Sequence, residues 1–346
     1  LCYKKLNMSK KNSSVNLKIN FKKFKDLLNI FHYFEKNLNK LKTKTFLVAV
    51  SGGPDSLALA ALTKLYSLEN SKTFYYVLIN HNIRTNSEAE AKQVKNLLRK
   101  FGIKLNVVNN TKKITKNVQS EARKVRYDYL INFCKKKNIK TIITAHNLED
   151  QVETFFIRLS RGSGLTGLSS MKTLSKLKKG IYLYRPLLEI KKKYLVKISK
   201  KIYKKYFKDP SNLNKKYLRS KIRKLKHPLK KSGIEYDQII RSIKNLASSK
   251  ITIDEYIKKT TKEILTKSKN EVLIDIKKFK KVNHDIKISI INEAIKKIKK
   301  NYYNPRSKKV INLIGKIENK NFIKSTLGGC VFSKKKDFLS LKIEKT

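Results

Sequence analysis

Short apolar runs alternate with amphipathic stretches along the first half of the chain. Four runs rich in Val, Ile, Leu and Tyr are typical of buried strands: residues 46–50, 74–79, 103–108 and 141–144. Each is followed by a stretch of helical periodicity: residues 56–67, 87–100, 118–136 and 149–159. This alternation predicts an α/β fold, in which a parallel sheet carries helices on both faces. Ligands of such sheets bind at the carboxyl ends of the strands.

The pattern changes in the second half of the chain. Long helical stretches rich in Lys and Ile follow residue 209, and residues 325–343 alternate like a β-hairpin. His227 and Pro228 interrupt a helical stretch and indicate a domain boundary. We expect three parts: a basic helical lead-in at 1–44, an α/β domain at 45–228 and a smaller, mainly helical α+β domain at 229–346.

The first strand runs into the turn SGGPDS, from which a helix leaves. These residues predict a phosphate-binding loop: Ser51, Gly52, Gly53, Pro54, Asp55 and Ser56. Its glycines let backbone N–H groups approach an anion, and the helix N-terminus attracts negative charge. Asp55 would repel a bare phosphate, so we expect it to hold a Mg²⁺ ion that bridges phosphates. The alternative is an ordinary strand-to-helix turn with proline at the first helical position.

A second polar cluster follows the fourth strand. His146 comes directly after it, and Asp150 and Glu153 lie near each other on one face of the next helix. Acidic residues could simply complement the helix dipole, but the chain has only 25 of them, and Glu149 adds a third here. This concentration favours a site for Mg²⁺ or a substrate cation. Arg161 follows this helix and precedes two glycines, a position from which it could bind a phosphate or an RNA backbone.

Arginine pairs occur at two further places. Arg123 and Arg126 share one face of the helix at 118–136, and Arg219 and Arg223 share a face of a later helix. Either pair could be a solvated basic face, or it could bind phosphates of a nucleotide or of RNA.

Two loops complete the set of candidate sites. The second strand ends in Asn80, His81, Asn82, Ile83 and Arg84, which alone would be typical of a surface loop. The segment DPSN at 209–212 predicts a turn and a helix start, which precede the second arginine pair.

Composition adds a strong positive charge to this picture. The chain has 83 Lys and Arg against 25 Asp and Glu, a formal net charge of +58. A compositional bias toward Lys and a polyanionic partner explain this charge equally well. Because only 11 basic residues are Arg, each Arg indicates a place where a planar, bidentate group is needed.

The cysteines and the apolar runs limit the class of protein. Cys2, Cys134 and Cys330 are isolated and lack metal-ligand spacing, which favours a reduced, intracellular protein. No apolar run approaches membrane-spanning length, so we expect a cytoplasmic protein or one of an organelle stroma.

The motifs resemble those of a known family. SGGPDS resembles the SGGxDS signature of the PP-loop family, the ATP pyrophosphatases. In order along residues 46–225, further blocks resemble the tRNA(Ile)-lysidine synthetase subgroup of that family: NHNIR, SEARKVRYDYL, TAHNLEDQVETFFIRLSRGSGLTGLSSM, RPLL and DPSN…LRSKIR. The LGGC hairpin weakly resembles the first appended domain of that subgroup. The resemblance ends there, so a further C-terminal domain of longer members is expected to be absent.

The resemblance implies a Rossmann-like PP-loop domain followed by a tRNA-binding domain, and an AMP-forming carbon–nitrogen ligase activity. Such enzymes adenylate the first anticodon cytidine of an isoleucine tRNA at its C2 oxygen, and the ε-amine of lysine then displaces AMP. The implied substrate and cofactor are ATP and Mg²⁺. The implied partners are an isoleucine tRNA with a CAU anticodon and free L-lysine, without a membrane. The oligomeric state stays open, with a homodimer as one alternative.

The resemblance also implies roles for individual residues. Residues 51–56 would hold the ATP phosphates, with Asp55 as the Mg²⁺ ligand. The reaction centre and lysine pocket would contain five residues: Arg123, Arg126, His146, Asp150 and Glu153. Among these, Arg123 would also act on phosphates of ATP or tRNA, as would three later arginines: Arg161, Arg219 and Arg223.

One departure and three rival functions accompany this interpretation. The family pattern Asp-His-Gly reads Asn80, His81, Asn82 here, which puts a metal or tight-turn role of that loop in doubt. A PP-loop tRNA thiolase would need reactive, paired cysteines, which the spacing disfavours. A non-catalytic RNA-binding protein would gain nothing from Asp55, Asp150 and Glu153. A glutamine-dependent amidating enzyme would need a glutaminase part, for which no room remains.

Overall fold

The computed structural model describes residues 24–83, 85–112, 114, 118–169, 171–207, 217–268, 270–299, 305–319 and 321–344, except the side chains of Gln119 and Lys179. Cys2, Arg84 and the turn at 209–212 therefore lie outside the described residues. The chain divides into two compact units, Leu1–Asn245 and Leu246–Thr346. This division falls C-terminal to the boundary that the sequence suggests at residue 228.

The first unit contains a six-stranded sheet. Its strands are β1 (Thr45–Val50), β2 (Thr73–Asn80), β3 (Leu105–Asn109), β4 (Thr141–Ile143), β5 (Leu174–Lys176) and β6 (Tyr182–Tyr184). They lie in the order β3-β2-β1-β4-β6-β5. Every neighbouring pair is parallel except β5 and β6, which are antiparallel at one edge. The carboxyl ends of the five parallel strands therefore share one edge of the sheet.

Helices cover both faces of this sheet. Those of the first unit are α1 (Lys25–Asn39), α2 (Pro54–Ser67), α3 (Ser87–Arg99), α4 (Val118–Lys136), α5 (Leu148–Leu159), α6 (Leu165–Leu168), α7 (Lys192–Tyr203), α8 (Leu218–Lys224) and α9 (Lys226–Lys231). A longer helix, α10 (Tyr236–Ile264), contains the division between the units.

Alternation along β1 explains the two-sided packing. Phe46 and Val48 face a core shared with α1, α2, α3 and α7, whereas Leu47 between them faces a second core with Leu130 and Cys134 of α4. Successive side chains of a strand point to opposite faces, so a wholly apolar strand is expected where both faces are covered. The predicted α/β class with a parallel, doubly covered sheet is confirmed.

The second unit has a sheet and a helical layer of its own. Its strands are β7 (Leu265–Lys267), β8 (Val272–Asp275), β9 (Lys324–Leu327), β10 (Cys330–Lys335) and β11 (Phe338–Ile343). They form an antiparallel sheet in the order β7-β8-β11-β10-β9. Its helices are α11 (Ile276–Lys281), α12 (His284–Ile298) and α13 (Ser307–Glu318). The predicted hairpin is therefore part of a larger sheet, and the expected smaller α+β region is confirmed.

The core of the second unit is apolar and separate. Ile290, Ile291 and Ile295 of α12 pack with Phe332 and Leu341 of the sheet. None of the helices in the described part of the chain is long and apolar enough to span a membrane.

Candidate active site

The loop after β1 is shaped by a close backbone approach. Gly52 has φ of +78°, and a Cβ there would lie 2.7 Å from Cγ2 of Val94, so the position needs glycine. The Ser56 hydroxyl donates to the carbonyl of Gly53 at 3.0 Å and accepts the Ser51 N–H at 3.1 Å. The loop is thus closed by its own serines. Gly53 then caps α2, which begins at Pro54.

This loop can hold an anion. The first N–H groups of α2 have no acceptor within the helix, and they carry the positive end of its dipole. Ser51 and Ser56 also place two hydroxyl groups beside the turn, with their Oγ atoms 3.2 Å apart. These are the elements of a phosphate cradle.

Asp55 lies in the first turn of α2 and is mostly buried. Its Oδ2 pairs with Nζ of Lys192 at 3.2 Å. Its other oxygen, Oδ1, is buried, and no donor among the described residues reaches it. Burial raises the pKa of Asp55 to about 6, against the lowering effect of Lys192, and the carboxylates of Asp150 and Glu149 raise it further. Among the described residues, one oxygen of Asp55 is therefore paired with Lys192 and the other accepts no hydrogen bond.

The acidic cluster of α5 meets the second arginine pair. Glu153 is only 4% exposed. Its Oε2 accepts from Nε of Arg219 at 2.7 Å, and its two oxygens accept from Nε and Nη2 of Arg223 at 2.6 and 3.1 Å. Two guanidinium groups thus enclose one buried carboxylate, an arrangement for which Arg is better suited than Lys.

Asp150 takes part in both a helix cap and this cluster. Asn147 caps α5, because the Asn147 side chain accepts the Asp150 N–H and Asp150 accepts the Asn147 N–H at 3.1 Å. The other oxygen of Asp150, Oδ1, lies 3.5 Å from Nη2 of Arg219. Asp150 thus takes part in a capping box at the start of α5, and its Oδ1 remains at the cluster.

His146 is neutral at physiological pH. Its Nδ1 lies 2.8 Å from the hydroxyl of Thr144. Burial lowers the pKa of His146 to about 3, and four nearby guanidinium groups lower it further: Arg185, Arg123, Arg219 and Arg126. A histidine with this pKa is a hydrogen-bonding group, because it cannot remain protonated near pH 7.

The other predicted arginines divide into two groups. Arg123 and Arg126 are exposed on α4, close enough to His146 to influence its pKa, and Arg123 lies over the ring of Tyr127. Arg161 is exposed beyond the end of α5.

The loop after β2 keeps a tight turn despite its unusual sequence. Asn82 has φ of +51°, a conformation that Asn tolerates better than most residues. Its N–H donates to Oδ1 of Asn80 at 3.2 Å, and its side chain donates to the carbonyl of Asn110 at 3.1 Å. Between them, both ring nitrogens of His81 are buried without a hydrogen-bond partner among the described residues. Burial, with Arg126 nearby, lowers the pKa of His81 to about 4.

Several residues at this edge were missed by sequence reasoning. Lys192 lies within a run of three lysines, where nothing marks it as special. Glu149 accepts the backbone N–H of Lys192 at 2.8 Å, and Lys226 lies 3.4 Å from the same carboxylate. Arg185, in the RPLL block, is buried and donates to the carbonyl of Lys172 at 2.7 Å. The available signal was an Arg in a chain that mostly uses Lys, within a stretch, residues 181–190, that contains no Lys.

Comparison with known proteins identifies the family. Residues 27–229 match the PP-loop domain family. The tRNA(Ile)-lysidine synthase of Wolbachia sp. subsp. Brugia malayi (strain TRS) is 32% identical over 304 residues, which cover 83% of this chain and 68% of that protein. The chain belongs to the tRNA(Ile)-lysidine synthase family of PP-loop enzymes. The family resemblance and the expected ligase class are therefore confirmed.

Further relatives agree with this tRNA(Ile)-lysidine synthase assignment. The synthase of Orientia tsutsugamushi (strain Boryong) is 38% identical over 216 residues, 61% of this chain and 46% of that protein. Among solved structures, the U34-tRNA thiolase NcsA from Methanococcus maripaludis has a TM-score of 0.54 at 19% identity, covering 64% of this chain and 80% of that one. The latter likeness concerns the fold alone. ATP is the nucleotide that PP-loop enzymes use, so the predicted substrate ATP is confirmed at the level of the family.

Proposed function

We propose that the protein joins lysine to the first anticodon cytidine of an isoleucine tRNA with a CAU anticodon. ATP would first adenylate the C2 oxygen of the base, and the lysine ε-amine would then displace AMP. The observation that carries this proposal is the buried Glu153, which is held between Arg219 and Arg223. Arg223 also lies close enough to Asp55 of the loop to be influenced by its charge. A protein that only binds RNA has no need for buried carboxylates at this edge.

The loop is the proposed site for the phosphates of ATP. Backbone N–H groups at the start of α2 would donate to phosphate oxygens, as would the hydroxyls of Ser51 and Ser56 once they turn away from their partners within the loop. A Mg²⁺ ion fits beside them, because Oδ1 of Asp55 is buried without a donor among the described residues. Asp55 would hold that ion, which would neutralise charge on the phosphates.

In the first step, the C2 oxygen of cytidine attacks the α-phosphorus. The bond from this phosphorus to the bridging β-oxygen breaks, and its electron pair leaves with pyrophosphate. Arg123 and Arg126, both exposed near His146, would stabilise the negative charge on the α-phosphate during this step. The neutral His146, fixed through Nδ1 by Thr144, would orient the base by a hydrogen bond from its other nitrogen.

In the second step, the ε-amine of lysine attacks C2 and AMP leaves with the electron pair of the C2–O bond. Lysine arrives as an ammonium ion, so it must lose a proton before it can attack. Oδ1 of Asp150 would attract the ammonium and accept this proton, because Oδ2 is already engaged by the Asn147 N–H. Glu153 would keep Arg219 and Arg223 in place beside it.

The second unit is proposed to bind the tRNA away from the anticodon. Its lysines are the candidates for contacts with the phosphate backbone, which need charge and no fixed geometry. The exposed Arg161 is a candidate for the same backbone near the reaction centre.

The described cysteines support an amine over sulfur as the second substrate. Cys134 and Cys330 are both buried. Burial raises the pKa of Cys134 to about 12, and it also raises the pKa of Cys330. A thiol of this kind carries little thiolate at pH 7, and the thiolate is the reactive form in sulfur transfer.

The experiment is incubation of the protein with ATP, Mg²⁺, radiolabelled lysine and bulk tRNA. We expect label in one isoleucine tRNA species, with one AMP released for each lysine incorporated. Asp150→Asn should lower incorporation at least about 100-fold, because the proton acceptor is lost. Asp285→Asn in the second unit is the matched control and should leave the rate unchanged. Absence of label in any tRNA would overturn the proposal.

A further inference from the structure

Lys192 is placed against the phosphate-binding loop by the way α7 is anchored. Helix α7 packs along α2, and the Ser199 hydroxyl donates to the carbonyl of Pro54 at 2.5 Å. Just beyond α7, the N–H of Phe207 donates to the carbonyl of Gly52 at 3.0 Å. At the other end of the helix, Glu149 accepts the backbone N–H of Lys192. The backbone of Lys192 is therefore held in a fixed position relative to the loop.

The side chain of Lys192 differs from those of its neighbours. Its ammonium group lies 3.2 Å from Oδ2 of Asp55 in the loop helix. Lys191 instead pairs with Asp237 at 2.7 Å, and Lys193 is exposed with its ammonium over the ring of Tyr194. Of these three consecutive lysines, Lys192 is the one that reaches the loop. Its side chain is 41% exposed, so it is free to move a short distance.

The loop lacks a lysine within its own sequence, although a P-loop uses one there for the β- and γ-phosphates. We propose that Lys192 supplies this ammonium group from α7 and contacts the pyrophosphoryl part of ATP. This inference rests on the proposed ATP-dependent function. When the α-phosphorus is attacked, the electron pair of the breaking P–O bond moves onto the β-phosphate. The Lys192 ammonium stabilises that charge by a hydrogen bond and neither gains nor loses a proton.

The ion pair between Lys192 and Asp55 is then the state of the protein before ATP binds. An ammonium group occupies the carboxylate that would otherwise repel the incoming phosphates. Asp55 would hold Mg²⁺ when ATP is bound, and the Lys192 ammonium, on its anchored backbone, would then be available to the phosphates. The alternative is that Lys192 only neutralises Asp55 and makes no contact with ATP.

Nucleotides of different length separate these two roles. Dissociation constants for ATP with Mg²⁺, for AMP and for inorganic pyrophosphate are measured by titration calorimetry or by competition. For Lys192→Met we expect affinity for ATP and pyrophosphate to fall about 10- to 100-fold, the loss of a charged hydrogen bond, with AMP affinity unchanged. Lys192→Arg should restore most of the loss. Lys193→Met is the matched control and should leave all three constants unchanged.

Two outcomes would overturn the inference. An equal loss of affinity for AMP and ATP would assign Lys192 a structural role, and unchanged affinities would show that it does not touch the nucleotide. Melting temperatures of Lys192→Met and Lys192→Arg show whether both variants fold. The constants do not depend on the acceptor, so failure of lysine incorporation into tRNA would contradict the proposed function without bearing on Lys192.

Discussion

Glu153 in the first unit and Glu318 in the second both pair with basic side chains, in very different surroundings. The Glu153 side chain is 5% exposed and is held by two guanidinium groups. The Glu318 side chain is 43% exposed and pairs with Lys287 at 2.8 Å. A buried charge depends on its partners, because water cannot replace them, whereas an exposed pair is screened. The two units therefore use charge differently, although basic residues are in excess in both.

The largest expected effect is that of Glu153→Gln. Glu153→Gln removes the buried carboxylate that Arg219 and Arg223 share, which should lower the free energy of unfolding by about 3 kcal/mol. Lysine incorporation should fall at least about 100-fold, because the arginines lose their fixed position. The measurements are urea denaturation followed by circular dichroism and the lysine incorporation assay.

Glu318→Gln is the matched change in the second unit. Glu318 is 43% exposed, whereas its partner Lys287 is 13% exposed, so loss of this carboxylate should cost about 1 kcal/mol or less. If the two substitutions proved equally costly, the contrast between the buried and the exposed carboxylate would be wrong.

A smaller effect, of opposite sign, is expected for Asp55→Asn without ligands. The folded-state pKa of Asp55 is about 6, above the value of 3.8 for an unburied Asp, so the folded state binds the proton more tightly. Ionised Asp55 therefore destabilises the protein as the pH rises from about 4 to about 6, and the cost persists above that range. Asp55→Asn removes this cost. Its stability gain over the wild type should increase by about 2 kcal/mol between pH 4.5 and pH 7.5.

Urea denaturation in EDTA at the two pH values measures this gain. The same variant should lose ATP-dependent lysine incorporation at pH 7.5, so stability and activity change in opposite directions. A gain that does not depend on pH would mean that ionisation of Asp55 has no energetic cost.

The sequence predicted most of the fold but only part of this site. The four main strands and the helices after them have long, regular periodicity, and all are found close to their expected positions. Strands β5 and β6 span three residues each and were not predicted, whereas the equally short β4 is a buried run with two Ile residues shortly before a clear helical pattern. Only a hairpin of the second sheet was predicted, because β7 and β8 adjoin long helical patterns in the sequence.

The ends of the predicted strands were a good guide to the site residues. The sequence did not predict which of their side chains pair. Asp55, His146 and Glu153 follow strands in sequence, so topology alone brought them to one edge. Which arginine meets Glu153, and which of three lysines reaches Asp55, depends on how α7 and α8 pack. Sequence spacing carries no information about such contacts between distant helices. The Lys-rich composition also conceals Lys192, whereas the scarcity of Arg made Arg223 visible.

Among the site residues, a smaller effect than that of Asp55→Asn is expected for Arg223→Lys, which keeps the charge and changes only its geometry. Arg223 donates to both oxygens of Glu153 through Nε and Nη2, and an ammonium group cannot reproduce this fork. We expect a loss of about 1 kcal/mol in stability, one charged hydrogen bond at a buried acceptor, and about a 10-fold lower rate of lysine incorporation. The reverse exchange, Lys335→Arg, alters an exposed pair with Glu271 at 3.1 Å and should change neither quantity measurably. If Arg223→Lys were as harmless as Lys335→Arg, charge alone would suffice at Glu153, and the scarce arginines of this chain would need another explanation.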